Sequence, residues 1–207
     1  MCEPQDASFA EPAAIGVQGC RRGEVSAGED VLILGCGPIG LALIEVARAR
    51  GANITAADVA DNRLETAAQF GAKTLKVDDN FVQNILDRTN GEGMPVVLEA
   101  TGNPKAMEQT VELVAAGGRI VILGLLKQGM KVCLPGLDFT RKEMTIVGSR
   151  ASVNCFPEAL ELLANGSITY PRVATEFSLW DAPKVFADLA EHPDRVHKGV
   201  LVTEPEI

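Results

Sequence analysis

The apolar positions of this 207-residue chain alternate between two patterns. Short runs of β-branched or leucine-rich residues, each closed by glycine or a polar residue, are typical of strands buried on both faces. They predict six strands, at residues 31–34, 54–57, 73–76, 96–99, 119–123 and 145–147. The alternation of these strands with amphipathic segments predicts an α/β fold, a doubly wound, Rossmann-like parallel sheet with helices on both faces.

The helices between these strands are predicted from apolar residues three and four positions apart. Two of them span residues 40–50 and 80–88. A third is capped by Asp61 and stops at Gly71, and a fourth begins after Asn103-Pro104 and ends at Gly117-Gly118. This order of cap, proline and terminal glycine is the one that helix ends favour.

The alternation changes after residue 150. A helix is predicted at 156–164, a strand at 173–177, a helix at 181–191 with Val185, Phe186 and Leu189 facing inward, and a last strand at 199–202. We therefore divide the chain into a dinucleotide-binding domain, residues 1–150, and a carboxyl-terminal α/β tail, residues 151–207.

The first strand runs directly into a glycine-rich turn, because residues 31–40 read VLILGCGPIG. In a doubly wound sheet this turn lies where a dinucleotide diphosphate can rest on the amino terminus of the next helix. Gly35 allows the tight turn, Gly37 lets the backbone approach the phosphate, and Gly40 lets the helix pack on the strand. Pro38 and Ile39 complete the turn. The alternative is a glycine-rich turn that serves packing alone.

An acidic residue strengthens the first interpretation. Asp58 ends the second predicted strand, at the spacing expected for a carboxylate that binds the ribose hydroxyls of NAD. A 2′-phosphate would be repelled there, so NAD is favoured over NADP. Arg63 keeps NADP as an alternative, since an arginine in this loop can neutralise a phosphate; otherwise Arg63 is a solvated helix residue that covers the adenine.

The amino-acid composition argues against nucleic acids and membranes as binding partners. Nineteen Lys and Arg against 28 Asp and Glu give a net charge of -9, without the basic clusters that a nucleic acid needs. The longest apolar stretch, 31–47, is broken by glycines and a proline and carries Glu45, so no membrane span is expected. Five cysteines form no Cys-x-x-Cys pair, and the amino terminus lacks a signal-peptide pattern. We expect a cytoplasmic protein.

An ordered set of motifs gives the chain a family resemblance. It runs from Glu11-Pro12 and GVQGCRRG through GCGPIG, Asp58 with Arg63, LEATGNP and GGRIVILGL to TIVGSR. In this order the motifs resemble those of the zinc-containing medium-chain dehydrogenases/reductases, in the alcohol dehydrogenase superfamily. Within them they are similar to the polyol and sugar-acid branch, which holds sorbitol, L-idonate, galactonate-type and threonine dehydrogenases. The resemblance covers residues 11–202.

The resemblance implies further cofactor residues, which follow strands four, five and six: Thr101 and Gly102; Leu123, Gly124 and Leu125; Ser149 and Arg150. The first pair would line the cofactor cleft, and the middle group would flank the nicotinamide ring. The last pair would approach the nicotinamide ribose or the substrate. For the middle group the alternative is simple strand termination, and for Arg150 it is a solvated arginine at a strand end.

Glu11 stands at the family position of a glutamate that faces the catalytic zinc. In the family the other zinc ligands come from an amino-terminal domain that carries a cysteine and a His-Glu pair. We expect the chain to lack that domain, since ten residues precede Glu11 and the two histidines are His192 and His197. We expect this chain to bind no zinc, and Glu11 is also explained as an ordinary helix start.

The favoured function is the NAD(H)-binding portion of a zinc-dependent alcohol, polyol or sugar-acid dehydrogenase, which transfers hydride between a secondary alcohol and NAD. The chain alone is expected to be inactive. The alternatives are a non-catalytic nucleotide-binding or dimerisation module and a methyltransferase that uses S-adenosylmethionine. A homodimer is expected through the sheet edge formed by 145–147 and 130–134, because an unprotected edge pairs with its copy.

Overall fold

The computed structural model describes residues 7–192 and 195–203, and it contains a central sheet with helices on both sides. The strands are β1 (Asp30–Leu34), β2 (Asn53–Asp58), β3 (Lys73–Lys76), β4 (Met94–Glu99), β5 (Val114–Ile122), β6 (Thr145–Gly148), β7 (Ala174–Ser178) and β8 (Lys198–Val202). The helices are α1 (Ala10–Arg22), α2 (Pro38–Ala49), α3 (Asp61–Gln69), α4 (Phe81–Arg88), α5 (Pro104–Leu113), α6 (Gly136–Lys142), α7 (Phe156–Ala164) and α8 (Ala182–Glu191).

The central sheet has six parallel strands in the order β3-β2-β1-β4-β5-β6. The chain winds outward from β1 in one direction, returns to β4 and winds outward in the other. This topology confirms the predicted doubly wound, Rossmann-like sheet. Ligands of such sheets bind where the winding reverses, at the carboxyl ends of β1 and β4.

Strand β1 lies at the centre of two cores, because successive side chains of a strand point to opposite faces. Val31 and Ile33 pack in the layer that contains α1 and α2. Leu32 and Leu34 pack in the layer that contains α4 and α5. All four side chains are buried, and this double burial explains why the strand reads as an unbroken apolar run.

The tail after residue 150 is attached to the first core rather than separate from it. Helix α7 packs on α1. Glu158 on α7 accepts hydrogen bonds from Arg21, at 2.7 Å, and from Arg50, at 2.8 Å. The buried Glu45 on α2 accepts hydrogen bonds from the backbone N–H and the hydroxyl of Thr169. Strands β7 and β8 form a separate parallel pair.

Three sequence predictions about elements are wrong. Asp61 does not cap α3: Ala60 is the N-cap, and the Asp61 carboxylate pairs instead with the ammonium group of Lys76 at 2.6 Å. The helix predicted to end at Gly117-Gly118 ends at Leu113, because strand pairing begins directly at Val114, with an irregular register opposite Met94.

Phe186 is the third correction. It was expected to face inward from α8, yet 68 % of its surface is exposed. Within the described part of the chain, every helix is too short or too polar to cross a bilayer.

Candidate functional site

The glycine turn after β1 is built by close backbone approach. Gly35 has a φ of 94°, a conformation that glycine adopts without strain. A Cβ added to Gly40 would lie 1.8 Å from the carbonyl oxygen of Gly35. The turn can therefore form only when α2 presents a bare backbone at Gly40.

The amino terminus of α2 lies beside a cleft that Gly35 and Gly37 help to line. Gly37 is the N-cap, makes no side-chain capping hydrogen bond, and is followed by Pro38 at the first helical position. A Cβ added to Gly37 would meet no atom within 4 Å. The first N–H groups of a helix have no partner within the helix, and they carry its positive dipole end. This end of α2 is therefore suited to an anion.

Asp58 lies beside the glycine turn at the end of β2, the strand next to β1. Only 6 % of its surface is exposed. Its Oδ2 accepts a hydrogen bond of 2.8 Å from the Cys36 N–H, and its Oδ1 accepts one of 3.0 Å from the Ala60 N–H. Each oxygen has a second lone pair, so the carboxylate is fixed in orientation and can still accept hydrogen bonds from a ligand.

A cleft of about 460 Å³ opens between β1, β2 and β4. It is lined by five of the predicted residues: Gly35, Gly37, Asp58, Arg63 and Thr101. An Nη of Arg63 lies 3.9 Å from Oδ2 of Asp58. The volume of this cleft is typical of small-molecule sites.

Sequence reasoning missed the far wall of this cleft. The missed residues come from the ends of β3 and β4 and from the starts of α4 and α5: Val77, Asp78, Asp79, Phe81, Asn103, Lys105, Ala106 and Gln109. No fixed spacing links them, and they converge only because α4 and α5 pack on the same face of the sheet. The sole sequence signal is their position just after predicted strands, where parallel sheets place their ligand contacts.

A second cleft, of about 300 Å³, opens on the other side of the loop after β4. It brings together seven more of the predicted residues: Ile39, Gly102, Leu123, Gly124, Leu125, Ser149 and Arg150, with Thr101 shared between the clefts. Ser149 is buried, and in the described residues its hydroxyl has no hydrogen-bond partner. Arg150 is exposed at the rim.

Glu99 is a further residue that sequence reasoning missed. It ends β4 between the two clefts, and none of its surface is exposed. Burial raises the pKa of the Glu99 carboxyl above its usual value, against the opposing effect of hydrogen bonds from Thr101 and Gly102. An acidic residue at the last position of an apolar strand was its only sequence signal.

Two predicted cofactor residues and the predicted metal position lie outside both clefts. Pro38 and Gly40 form α2 behind the turn, where they shape the backbone. Glu11 is exposed in the first turn of α1, one helical turn before Ile15, which lines the second cleft. Across residues 7–192 and 195–203, no three His, Cys, Asp or Glu side chains are grouped so that they could hold a metal ion.

Comparison with known sequences gives a consistent result. The profile of a family described as "Zinc-binding dehydrogenase" matches residues 38–165. L-galactonate-5-dehydrogenase of Escherichia coli K12 is 35% identical over 196 residues, which are 93% of this chain and 55% of that protein. Sorbitol dehydrogenase of Mus musculus is 31% identical over 188 residues, 88% of this chain and 52% of that protein. The chain thus spans about half the length of the curated relatives it matches.

Solved structures show the same architecture. The 2R,3R-butanediol dehydrogenase of Bacillus subtilis superimposes with a TM-score of 0.89 at 26% identity, over 98% of this chain and 59% of that one. An alcohol dehydrogenase of E. coli CFT073 complexed with NADH gives 0.88 at 26% identity, over 97% and 60%. A protein of Sinorhizobium meliloti 1021 assigned as a zinc-binding dehydrogenase, bound to NADP, gives 0.82 at 32% identity, over 87% and 54%.

Proposed function

Because this chain belongs to the zinc-binding dehydrogenase family, we propose that it is the NAD(H)-binding portion of a dehydrogenase that acts on a polyol or a sugar acid. One observation carries the cofactor assignment: the Asp58 carboxylate is held by hydrogen bonds beside the open amino terminus of α2. The substrate class is supported by the similarity to L-galactonate-5-dehydrogenase and sorbitol dehydrogenase.

In this proposal the two clefts hold the two halves of one dinucleotide. The diphosphate lies at the amino terminus of α2, where Gly37 leaves space that any larger residue would fill and the helix dipole favours negative charge. The adenosine occupies the larger cleft, and the nicotinamide nucleotide occupies the smaller one beside Ile39 and Ser149. Gly35 and Gly40 keep the turn tight enough for this path.

Charge in the larger cleft favours NAD over NADP. Asp58 shares that cleft with Asp78 and Asp79, against the cationic groups of Arg63 and Lys105. A 2′-phosphate would add about two negative charges next to the Asp58 carboxylate. An Nη of Arg63 lies 3.9 Å from the Asp58 carboxylate. The positive charge of Arg63 is therefore already partly compensated by Asp58. We therefore propose that the ribose hydroxyls donate to Asp58.

The smaller cleft would hold the reacting end. When bound, the nicotinamide accepts or returns a hydride at its C4 atom. Leu123, Gly124 and Leu125 line one wall, and they would exclude water from one face of the ring. Ser149, whose hydroxyl has no partner among the described residues, and Arg150 also line this cleft, where they would bind the nicotinamide ribose or the alcohol substrate.

The described residues do not fit the zinc of the family. Glu11 is exposed, and no histidine or cysteine of the described ranges joins it in a group that could bind a metal. We therefore assign no step of the reaction to a metal held by this chain alone. We propose that the 207-residue chain binds NAD(H) without oxidising a polyol at a measurable rate.

Two structural proposals accompany this function. Strand β6 is the last strand of the sheet, and we propose that it pairs with its copy in a homodimer, because an exposed edge is a template for pairing. The segment at 130–134 contains no strand, although its Cys133 N–H donates to Glu108 on α5. We also propose that the chain divides at residue 150 into a dinucleotide-binding domain and a carboxyl-terminal tail. Residues 1–6 of the domain and residues 204–207 of the tail lie outside the described residues.

Isothermal titration of the purified chain with NADH, NADPH and ADP-ribose tests the cofactor assignment. We expect saturable NADH binding that ADP-ribose competes for, a raised melting temperature because the ligand binds only the folded state, and weaker binding of NADPH. The proposal fails if millimolar NADH gives neither heat nor a melting shift. Light scattering after size exclusion tests the homodimer, and a monomer at all concentrations would contradict it.

A further inference from the structure

The loop after β4 is folded around one side-chain oxygen. Oε1 of Glu99 accepts hydrogen bonds from the Thr101 N–H at 2.7 Å and from the Gly102 N–H at 3.2 Å. The Thr101 hydroxyl donates to the same oxygen and accepts from the Asn103 N–H at 2.9 Å, at the N-cap of α5. Glu99 thus fixes the loop that separates the two clefts.

The loop after β5 is attached to the same residue. The backbone carbonyl of Glu99 accepts hydrogen bonds from the Leu123 N–H at 2.8 Å and from the Gly124 N–H at 3.0 Å. A Cβ added to Gly124 would lie 2.2 Å from the Gly102 nitrogen and 2.5 Å from Oε2 of Glu99. The two loops therefore touch at Gly102 and Gly124, with the Glu99 carboxyl group against the contact.

Stability alone does not account for a carboxyl group at this position. It is fully buried, and within the described residues Oε2 has no hydrogen-bond partner. A buried polar atom without a partner costs free energy, whereas an apolar side chain of similar size would remove that cost. The carboxyl group is retained where its Oε1 holds the Thr101-Gly102 loop and its Oε2 lies against Gly124 of the opposite wall.

We propose that Glu99 is a positioning residue that sets the width of the nicotinamide cleft, by holding the Thr101-Gly102 loop at a fixed distance from the Leu123-Gly124 loop. This inference rests on the proposed binding of NAD(H). The loop that Glu99 holds also places Thr101 in the larger cleft. Glu99 touches neither the diphosphate seat nor the Asp58 carboxylate in the contacts described, so the adenosine half of the site depends on it less than the nicotinamide half does.

The test compares two ligands that differ in the nicotinamide. ADP-ribose supplies the adenosine, the diphosphate and the second ribose, and NADH adds only the nicotinamide ring. In E99L, which loses the acceptor, we expect ADP-ribose affinity within about twofold of the wild type and NADH affinity about tenfold weaker, with loss of the fluorescence enhancement of bound NADH. In E99Q, which keeps Oε1 as an acceptor, we expect NADH affinity within about threefold of the wild type.

Two further variants keep the test decisive. E45L removes an equally buried glutamate of α2 that hydrogen-bonds Thr169, away from both clefts, and should leave both affinities unchanged. G124A pushes the two loops apart from the opposite side, and should reproduce the loss in E99L even if E99L folds poorly by circular dichroism.

The inference is overturned if E99L weakens ADP-ribose and NADH equally, if E99Q fails to restore NADH binding, or if G124A leaves the NADH affinity unchanged. If the wild-type chain binds ADP-ribose and NADH but the ratio of their affinities is insensitive to these variants, the positioning role fails while the proposed function stands. If the wild type binds neither ligand, both fail.

Discussion

Asp58 and Cys36 are joined by a hydrogen bond of 2.8 Å, from the backbone N–H of Cys36 to Oδ2 of the carboxylate. Cys36 stands between the first two glycines of the turn after β1, and Asp58 ends the neighbouring strand β2. The bond makes the proposed ribose ligand and the proposed diphosphate seat a single unit. A change at Asp58 therefore affects the turn as well as the contact with the sugar.

Replacement of Asp58 is expected to reduce NADH affinity more than NADPH affinity. In D58N the single amide oxygen can accept from the Cys36 N–H or from the Ala60 N–H but not from both, and the charged acceptor for the ribose is lost. We expect NADH to bind about 10- to 100-fold more weakly, the effect of losing a charged hydrogen bond, with a smaller change for NADPH. D61N, three residues away and paired with Lys76 outside the clefts, is the control. Equal losses for the two cofactors in D58N would contradict the ribose assignment.

Two glycines of the turn should separate binding from stability. At Gly37 the backbone φ is −71° and the space for a Cβ is open, so G37A should keep the wild-type melting temperature but bind NADH about tenfold more weakly or worse. At Gly40 the Cβ would collide with the Gly35 carbonyl, so G40A should lose about 3 kcal/mol of unfolding free energy. Denaturant titration and calorimetry measure both effects. Wild-type NADH binding in G37A would contradict the diphosphate seat.

The contact between α1 and α7 should make stability depend on acid. Burial opposes ionisation of Glu158, but hydrogen bonds from Arg50 and Arg21 outweigh it and lower the pKa of the carboxyl below its usual value. The unfolded chain then binds the proton more readily, so the stabilisation is complete above the unfolded pKa and is lost as the pH falls below about 4. For these partly exposed pairs we expect about 1 kcal/mol at pH 7.

Melting curves of the wild type and E158Q between pH 7 and pH 3 measure this contribution. The wild type should melt about 2–4 °C higher at pH 7, and the two curves should converge as the pH falls. E161Q, on the same helix α7, is a control that should behave as the wild type does. A difference between wild type and E158Q that persists at pH 3 would show that packing, rather than charge, causes it.

The described cysteines should differ sharply in reactivity. Burial raises the pKa of the Cys36 thiol to about 12 and that of the Cys20 thiol to about 12, whereas Cys133 is exposed. Because the thiolate is the reactive species, iodoacetamide at pH 8 should modify Cys133 within minutes and leave Cys20 and Cys36 intact until the chain is denatured. Peptide mass mapping reads each site separately. Rapid alkylation of Cys36 in the native chain would contradict the closed glycine turn.

The sheet could be predicted because its signals are local. A run such as Val31 to Leu34 is apolar at every position only when both faces of the strand are buried, and a glycine turn after such a strand marks the point where the winding reverses. The same reasoning predicted that Asp58 would stand beside Gly37, since the carboxyl ends of adjacent parallel strands meet at one edge. The structure places both residues in one cleft.

The remaining features depend on contacts between distant segments. Nothing near Asp61 in the chain indicates that Lys76 of the next strand will take its carboxylate. Strand pairing with β4 decides where β5 begins, and this overrides the local signal of two glycines. Glu99 escaped notice because its importance comes from two loops that only the folded sheet brings into contact. The wall made by Val77, Phe81 and Lys105 belongs to the same class.

The shared burial of β1 has a consequence for how this sequence can change. Each side chain of the strand belongs to one of two helical layers, so deletion of a single residue before Gly35 would exchange the layers for every position at once. Enlargement of any one side chain must be absorbed by helices on that side without moving the strand that carries the other layer. Mutational scanning should therefore find β1 the least permissive segment of the chain, and compensating substitutions should lie on α2 for Ile33 and on α4 or α5 for Leu32.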